Sequence, residues 1–341
     1  MNPERLHEIA ARAAGLRLAV VGDFCLDRYF EIDPSRREIS IETGLPVHNV
    51  VNVRAQPGAA GTILNNLVAL GVGEIFPVGF CGEDGEGYEL LRALRGLRGV
   101  NSRHFLQTPQ RRTFTYGKPL LLEPGQPPRE LSRLDAKNWT PTPPEVTAIL
   151  AHSLAALRSQ VDAIILMDQV DVPETGVITA GLLAQLADDA GDRPIVADSR
   201  RGLRGFPPVI FKMNATELSA LTGLPPDSSI EEIHRAAAGL AARNGRPVFV
   251  TMAERGLLGA LPDGCVEQVP ARPVRGAIDV VGAGDSVTAN LTTALAAGAT
   301  LREALELAAL ASSIVIHQLG TSGAASFAQI AGLSERAETA V

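Results

Sequence analysis

Residues 278–286 read Ile278-Asp279-Val280-Val281-Gly282-Ala283-Gly284-Asp285-Ser286, and the interpretation of the whole chain turns on them. Three small residues stand between an apolar run and a segment, 287–297, that is patterned as a helix. Gly282 and Gly284 can take backbone angles closed to other residues, and neither has a side chain to hold a ligand away from the main chain. The N–H groups of Gly282, Ala283 and Gly284 would point outward from a helix N-terminus, where unpaired donors and the helix dipole attract an anion. Asp285 ends the turn. An acid beside anion-binding amides has little structural purpose, but as a base that activates a hydroxyl next to a phosphate it has a clear one. A plain helix start, with Asp285 favoured by the dipole, is the structural alternative. Gly282-Ala283-Gly284 is also the G-x-G of a dinucleotide fingerprint. That pattern asks for Gly or Ala three residues on, where this chain has Val287, and it usually opens its domain.

The seven residues from Asp279 to Asp285 resemble the C-terminal signature of the ribokinase-like (PfkB) carbohydrate kinases. The resemblance implies that the glycine-rich turn is an anion hole and that Asp285 is the catalytic base. It also implies a three-layer α/β fold, mainly a parallel sheet flanked by helices, with a small β-sheet lid. On that reading residues 1–341 form a single kinase domain, with lid segments at about 28–54 and 105–135.

Composition agrees with a globular enzyme. The 341 residues are 45% hydrophobic and 20% charged, with a net charge of −7, which argues against a nucleic-acid partner. The three cysteines have no metal-ligand spacing and suit a reducing cytoplasm. No apolar run approaches membrane-spanning length, and the charged first 14 residues lack the apolar centre of a signal peptide.

Earlier in the chain, an apolar run ends at Gly22-Asp23-Phe24-Cys25-Leu26-Asp27. A strand there puts Asp23 and Asp27 at its carboxyl end, where open parallel sheets bind ligands, although a turn Asp and a solvated Asp explain the spacing equally well. The stretch is similar to the G-D-x-x-x-D opening of the same kinases, which implies that both acids serve the substrate and that Asp27 binds sugar hydroxyls. Pro57-Gly58-Ala59-Ala60-Gly61 is a second glycine-rich turn ahead of a helix. It is similar to the family's G-G-x-x-N turn, implying substrate contacts at Gly58 and Ala59, but Ala59 replaces the second Gly and Thr62 stands where Asn is expected.

From residue 163 onward, apolar strands alternate with helical segments, the rhythm of a mainly parallel sheet with right-handed crossovers. Thr142-Pro143-Pro144-Glu145 reads as a capping box opening a helix. Asn214-Ala215-Thr216-Glu217 is an Asn-capped helix start, and it also matches the family's N-x-x-E motif, which holds phosphate and Mg²⁺ through water. Thr251-Met252-Ala253-Glu254-Arg255-Gly256 is similar to the nucleotide-binding T-x-G-x-x-G, with Ala253 for the first Gly and with Thr251 and Gly256 kept. Many family members bind a monovalent cation beside the central turn, which implies K⁺ at Asp279 and the Val281 carbonyl.

The resemblance therefore implies transfer of the ATP γ-phosphate to a sugar or sugar-phosphate hydroxyl, with Mg²⁺, in a cytoplasmic protein that forms a homodimer through its lid. Asp27-Arg28-Tyr29, Arg133-Leu134-Asp135 and Leu319-Gly320-Thr321-Ser322 are most similar to the heptose-phosphate kinase branch. Gln169-Val170-Asp171 departs from that branch, which has a basic segment there. A sugar phosphate needs cationic donors, and Arg111, Arg112 and Arg133, in or beside the lid segments, are the expected group, with Arg112 foremost. Two alternatives remain: an idle sugar- or nucleotide-binding protein of this fold, and a kinase for a nucleoside or another non-sugar alcohol.

Overall fold

The computed structural model describes residues 1–187 and 193–338. Its centre is a nine-stranded sheet. From one edge the order is Val266–Val269, Leu257–Ala260, Val248–Thr251, Ile210–Asn214, Ile195–Ser199, Ala163–Asp168, Arg17–Gly22, Glu74–Gly82 and Phe105–Thr108. Leu257–Ala260 runs antiparallel to both of its neighbours, Val266–Val269 and Val248–Thr251, and every other neighbouring pair is parallel. Alternation along each central strand feeds two separate cores. Leu18, Val20, Ala163 and Ile165 point into one, while Ala19, Val21, Ile164 and Leu166 point into the other. Such strands are apolar on both faces because helices cover both faces, which is why they read as continuous hydrophobic runs. Helices Ala60–Ala69, Ala283–Ala296 and Leu301–Val315 pack on one side, and Pro144–Leu157 and Ile230–Asn244 on the other.

At Gly22 the chain leaves this sheet and one residue later enters a second, small one, ordered Leu134–Ala136, Phe114–Leu121, Phe24–Ile32 and Val50–Ala59. Strand Val50–Ala59 returns directly into helix Ala60–Ala69. Gly22 is required at the departure point because a Cβ there would collide with the Met167 carbonyl. The small sheet is thus hung on the carboxyl end of a central strand, above the ligand-binding edge of the large sheet.

Two expectations change. Phe105–Thr108 pairs in parallel with Glu74–Gly82 and extends the large sheet, so the second small-sheet segment starts at Phe114, not at residue 105. Thr142 is not a helix cap either. Helix Pro144–Leu157 begins after Pro143 with no side-chain cap, because the Thr142 hydroxyl donates instead to the Gly176 carbonyl at 2.6 Å. The cap at Asn214 is formed as expected, and Leu257–Ala260 and Val266–Val269 are joined by a turn with Gly264 at φ 91°.

Candidate active site

The turn at 282–285 sits where helix Ala283–Ala296 begins. Gly282 caps it at φ 81°, a left-handed conformation that favours glycine. One expected donor is already in use, since the Ala283 N–H donates to the Val280 carbonyl at 3.2 Å and closes the turn. Among the described residues, the amides left for an anion are therefore those of Gly282, Gly284 and Asp285. The Asp285 carboxylate accepts no hydrogen bond from the described residues. Burial pushes its pKa up to about 7; the Asp198 and Asp27 carboxylates add to the rise, and the Lys212 ammonium opposes it. A carboxyl poised near neutrality can take a proton at physiological pH, as a general base must.

Lys212 and Asp198 are site residues that motif reading missed. Lys212 lies in strand Ile210–Asn214, is 5% exposed, and its Nζ lies 2.6 Å from Asp198 Oδ2. A Cβ added to Gly284 would stand 3.2 Å from that ammonium, so the glycine lets a cation approach the anion turn from below. Thr288 Oγ1 also donates to Asp198 Oδ2, at 2.8 Å, tying the helix to the pair. Burial alone would lower the Lys212 pKa, but Asp198, Asp285 and Glu217 outweigh it and keep the side chain protonated. The signal available in sequence was a charge inside each of two apolar strands.

Asn214 and Glu217 form a complete capping box: Asn214 Oδ1 accepts from the Glu217 N–H at 2.9 Å, and Glu217 Oε2 from the Asn214 N–H at 2.7 Å. Glu217 keeps its second oxygen, and burial raises its pKa with help from Asp198. Three carboxylates, Asp198, Glu217 and Asp285, thus act on the single ammonium of Lys212. That surplus of negative charge fits a divalent cation. No cluster of three or more His, Cys, Asp or Glu side chains able to hold a metal exists among the described residues, so such an ion would share its ligands with phosphates and water. Beyond Thr251, Ala253 takes φ 49° where the family pattern has glycine. Gly256 follows at φ 88°, where a Cβ would run into the Val269 carbonyl.

On the opposite side of the turn stands the end of the small sheet. Asp27 is 5% exposed, and its Oδ2 lies 3.2 Å from Lys118 Nζ. Gly58 presses against it, since a Cβ there would lie 2.8 Å from Asp27 Cγ. Ala59 follows at φ 53°, again an alanine where the pattern has glycine. Thr62 is buried and its methyl group would be 3.4 Å from a Cβ on Gly282, so the two glycine-rich turns meet here.

Asp23 does not belong to this group. It is 1% exposed, and its carboxylate accepts the N–H groups of Gln169, Val170 and Val177 at 2.8, 3.3 and 2.7 Å. It therefore fixes the loop after strand Ala163–Asp168 and is closed to a substrate. Nor do the three arginines converge. Arg111 is buried and donates to the carbonyls of Thr140 and Thr175, Arg112 is exposed, and Arg133 is held by Asp135 at 3.0 Å. Asp279 accepts from Val281 N–H at 3.0 Å and Gly320 N–H at 3.3 Å, one bond on each oxygen, so lone pairs remain on its carboxylate as well as on the Val281 carbonyl.

The chain is similar to several known proteins. Residues 172–327 match the family described as pfkB family carbohydrate kinase. Bifunctional protein HldE of Rhodospirillum rubrum is 34% identical over 319 residues, covering 93% of this chain and 62% of that protein. Bifunctional protein HldE of Azorhizobium caulinodans is 32% identical over 309 residues, covering 89% and 61%. The chain thus spans less than two thirds of the length of these relatives. Among solved structures, Escherichia coli phosphofructokinase-2 in complex with substrates and products superposes with a TM-score of 0.72 at 18% identity, covering 94% of this chain and 99% of that one. Arabidopsis thaliana ribokinase complexed with ribose and ATP gives 0.66 at 21%, covering 94% and 98%. The fold is ribokinase-like.

Proposed function

We propose that the chain is a carbohydrate kinase of the pfkB family, whose model matches residues 172–327, and that it transfers the γ-phosphate of ATP to a hydroxyl of a sugar or sugar phosphate. The observation that carries this reading is Asp285: a carboxyl held near neutrality beside open amides at a helix N-terminus, with a second carboxylate, Asp27, near enough to raise its pKa.

In the mechanism, Asp27 accepts hydrogen bonds from acceptor hydroxyls and aims one of them at the phosphate. Asp285 removes that hydroxyl's proton as its oxygen bonds to the γ-phosphorus and the bond to the ADP oxygen breaks. The amides of Gly282, Gly284 and Asp285, with the Lys212 ammonium beneath Gly284, stabilise negative charge on the phosphoryl oxygens. Asn214 and Glu217 would hold Mg²⁺ through water, and the ion would supply positive charge against the phosphates. Residues near Thr251 and Gly256 flank the nucleotide. The small sheet acts as a lid that excludes water.

The remaining parts of the reading have their own supports. K⁺ would bind at the Val281 carbonyl, and substituting Na⁺ for K⁺ without loss of rate would remove it. Ile39, Ile41, Leu45, Val51 and Val53 are exposed on the small sheet and the hairpin beside it, and Val50–Ala59 is an edge strand, which supports a homodimer through the lid. A monomeric mass by light scattering would overturn that. Three free thiols, two of them buried, support a reducing compartment such as the cytoplasm. No helix among the described residues is long and apolar enough to cross a membrane.

The test is ADP release over a panel of sugars and sugar phosphates. At least one acceptor should support turnover well above ATP hydrolysis, and Asp285→Asn should lower kcat roughly 10²–10⁴-fold. No acceptor-dependent ADP release would favour the idle binding protein instead.

A further inference from the structure

Lys118 is the one buried cation on the small sheet's ligand-facing surface that the mechanism above leaves without a task. It lies in strand Phe114–Leu121, paired in parallel with Phe24–Ile32, one row beyond the pair Asp27 and Tyr116. Its Nζ is 3.2 Å from Asp27 Oδ2 and 3.4 Å from the Tyr29 hydroxyl, and stands 4.8 Å from the Tyr29 ring centre. Lys118, Asp27 and Tyr29 are 8%, 5% and 6% exposed. Removing two charges from water costs more than a single ion pair usually returns, so a pair this deep in an otherwise apolar strand is poorly explained by stability. An apolar residue in its place would pack as well. What the ammonium does supply is a fixed counter-charge and a donor on one oxygen of the acid that meets the acceptor.

We propose that Lys118 is a positioning residue for the acceptor: it clamps Asp27 in one orientation, partly offsets its charge, and so limits how far that charge acts on Asp285. The proposal rests on the kinase reading and adds to it. With Lys118 in place, Asp27 presents its other oxygen to the acceptor, with only the weak Cys25 thiol contact at 3.9 Å competing for it. Without Lys118, Asp27 either swings or stands as an unpaired buried anion. The charged groups that act on Asp285 are Asp198, Lys212 and Asp27, and those around Asp27 are Lys118 and the neutral Tyr29 and Cys25. Loss of the Lys118 charge therefore leaves Asp27 free to raise the pH at which Asp285 ionises. Burial alone would lower the Lys118 pKa, yet Asp27 and Tyr29 keep it raised, so the clamp stays charged across the working range.

The experiment is steady-state kinetics of Lys118→Met and Lys118→Arg, using the acceptor that the wild type turns over fastest. Lys118→Met should raise the acceptor KM at least tenfold, leave the ATP KM within about twofold, and move the acid limb of the kcat/KM profile to higher pH. Lys118→Arg, which keeps the charge, should restore most of the KM and return the acid limb. Should Lys118→Met fold poorly, the double variant Asp27→Asn/Lys118→Met removes both charges. It should match Asp27→Asn alone in acceptor KM, because the clamp has nothing left to hold. A folded Lys118→Met with wild-type acceptor KM and an unmoved acid limb overturns the proposal while the kinase reading stands. A double variant with a clearly higher acceptor KM than Asp27→Asn overturns it too. Absence of any acceptor-dependent turnover in the wild type overturns the kinase reading, and the clamp with it.

Discussion

The two glycine-rich turns meet at Thr62, but they are built differently. The turn at 282–285 puts a glycine, Gly282, at its positive φ, and its chemistry is backbone chemistry: amides at a helix start and one acid. The turn at 57–61 puts Ala59 at φ 53° and ψ −116°, a region essentially closed to side chains, and its chemistry rests on charged groups brought from elsewhere. Asp27 comes from one strand of the small sheet and Lys118 from its parallel neighbour, 91 residues away in sequence. On the proposed reading, the turn at 282–285 would receive a phosphate, which looks the same in every kinase, and a stereotyped turn fits that task. An acceptor differs from enzyme to enzyme, and its side of the cleft is where departures collect.

The comparison can be broken most severely at Lys212. Lys212→Met removes the cation beneath Gly284 and leaves Asp198 buried without its partner, so kcat should fall at least roughly 10²-fold, as for loss of one preorganised electrostatic contact. The acceptor KM should hardly change. An equal loss in acceptor KM would mean that the two sides of the cleft are not separable in this way. Next in size is a null effect. Arg112 is exposed and acts on Asp84, so Arg112→Ala should change the acceptor KM by less than about twofold, against the roughly tenfold expected if a substrate phosphate gripped it. A tenfold rise would return the arginines to the acceptor site.

The smallest effects sharpen the contrast between the turns. Ala59 and Ala253 both hold positive φ where the family pattern has glycine. Ala59→Gly and Ala253→Gly should each stabilise the fold by about 1 kcal/mol through relief of that strain, partly offset by the greater freedom of glycine when unfolded. Melting curves measure it. A Gly282→Ala change should act in the opposite direction, and if all three substitutions destabilise alike, the alanines are not strained.

Much of this was legible from residue order. The βα rhythm after residue 163 and the Asn214 cap followed from local pattern, because each is decided by neighbours in sequence. The geometry of the turn at 282–285 was legible for the same reason, apart from the Ala283 amide, whose bond to Val280 depends on how tightly the turn closes. What was not legible depended on distant partners. Phe105–Thr108 is four residues long, and only its pairing with Glu74–Gly82 assigns it to the large sheet. Asp23 and Asp27 are indistinguishable by spacing, yet one is consumed by loop amides and the other faces the cleft. Thr142-Pro143-Pro144-Glu145 has a cap's spelling, but the Gly176 carbonyl takes the hydroxyl. Arginines attracted attention as phosphate ligands, whereas among the described residues the buried cations paired with buried carboxylates are two lysines inside strands, Lys118 and Lys212.

The central claim is that Asp285 is the general base and that its surroundings hold it near neutrality. The most direct measurement is the pH dependence of kcat/KM in wild type and Asp285→Asn, with melting temperature recorded over the same range. A base must be deprotonated to act, so the wild-type rate should rise about tenfold per pH unit below about 7 and level off above it. Because the fold disfavours the charged carboxyl, wild-type stability should also decline as pH rises from the ordinary carboxylate range through about 7, and Asp285→Asn should lose that part of the decline. An acid limb near 4 in the wild type, or one unchanged in the residual activity of Asp285→Asn, would contradict the account.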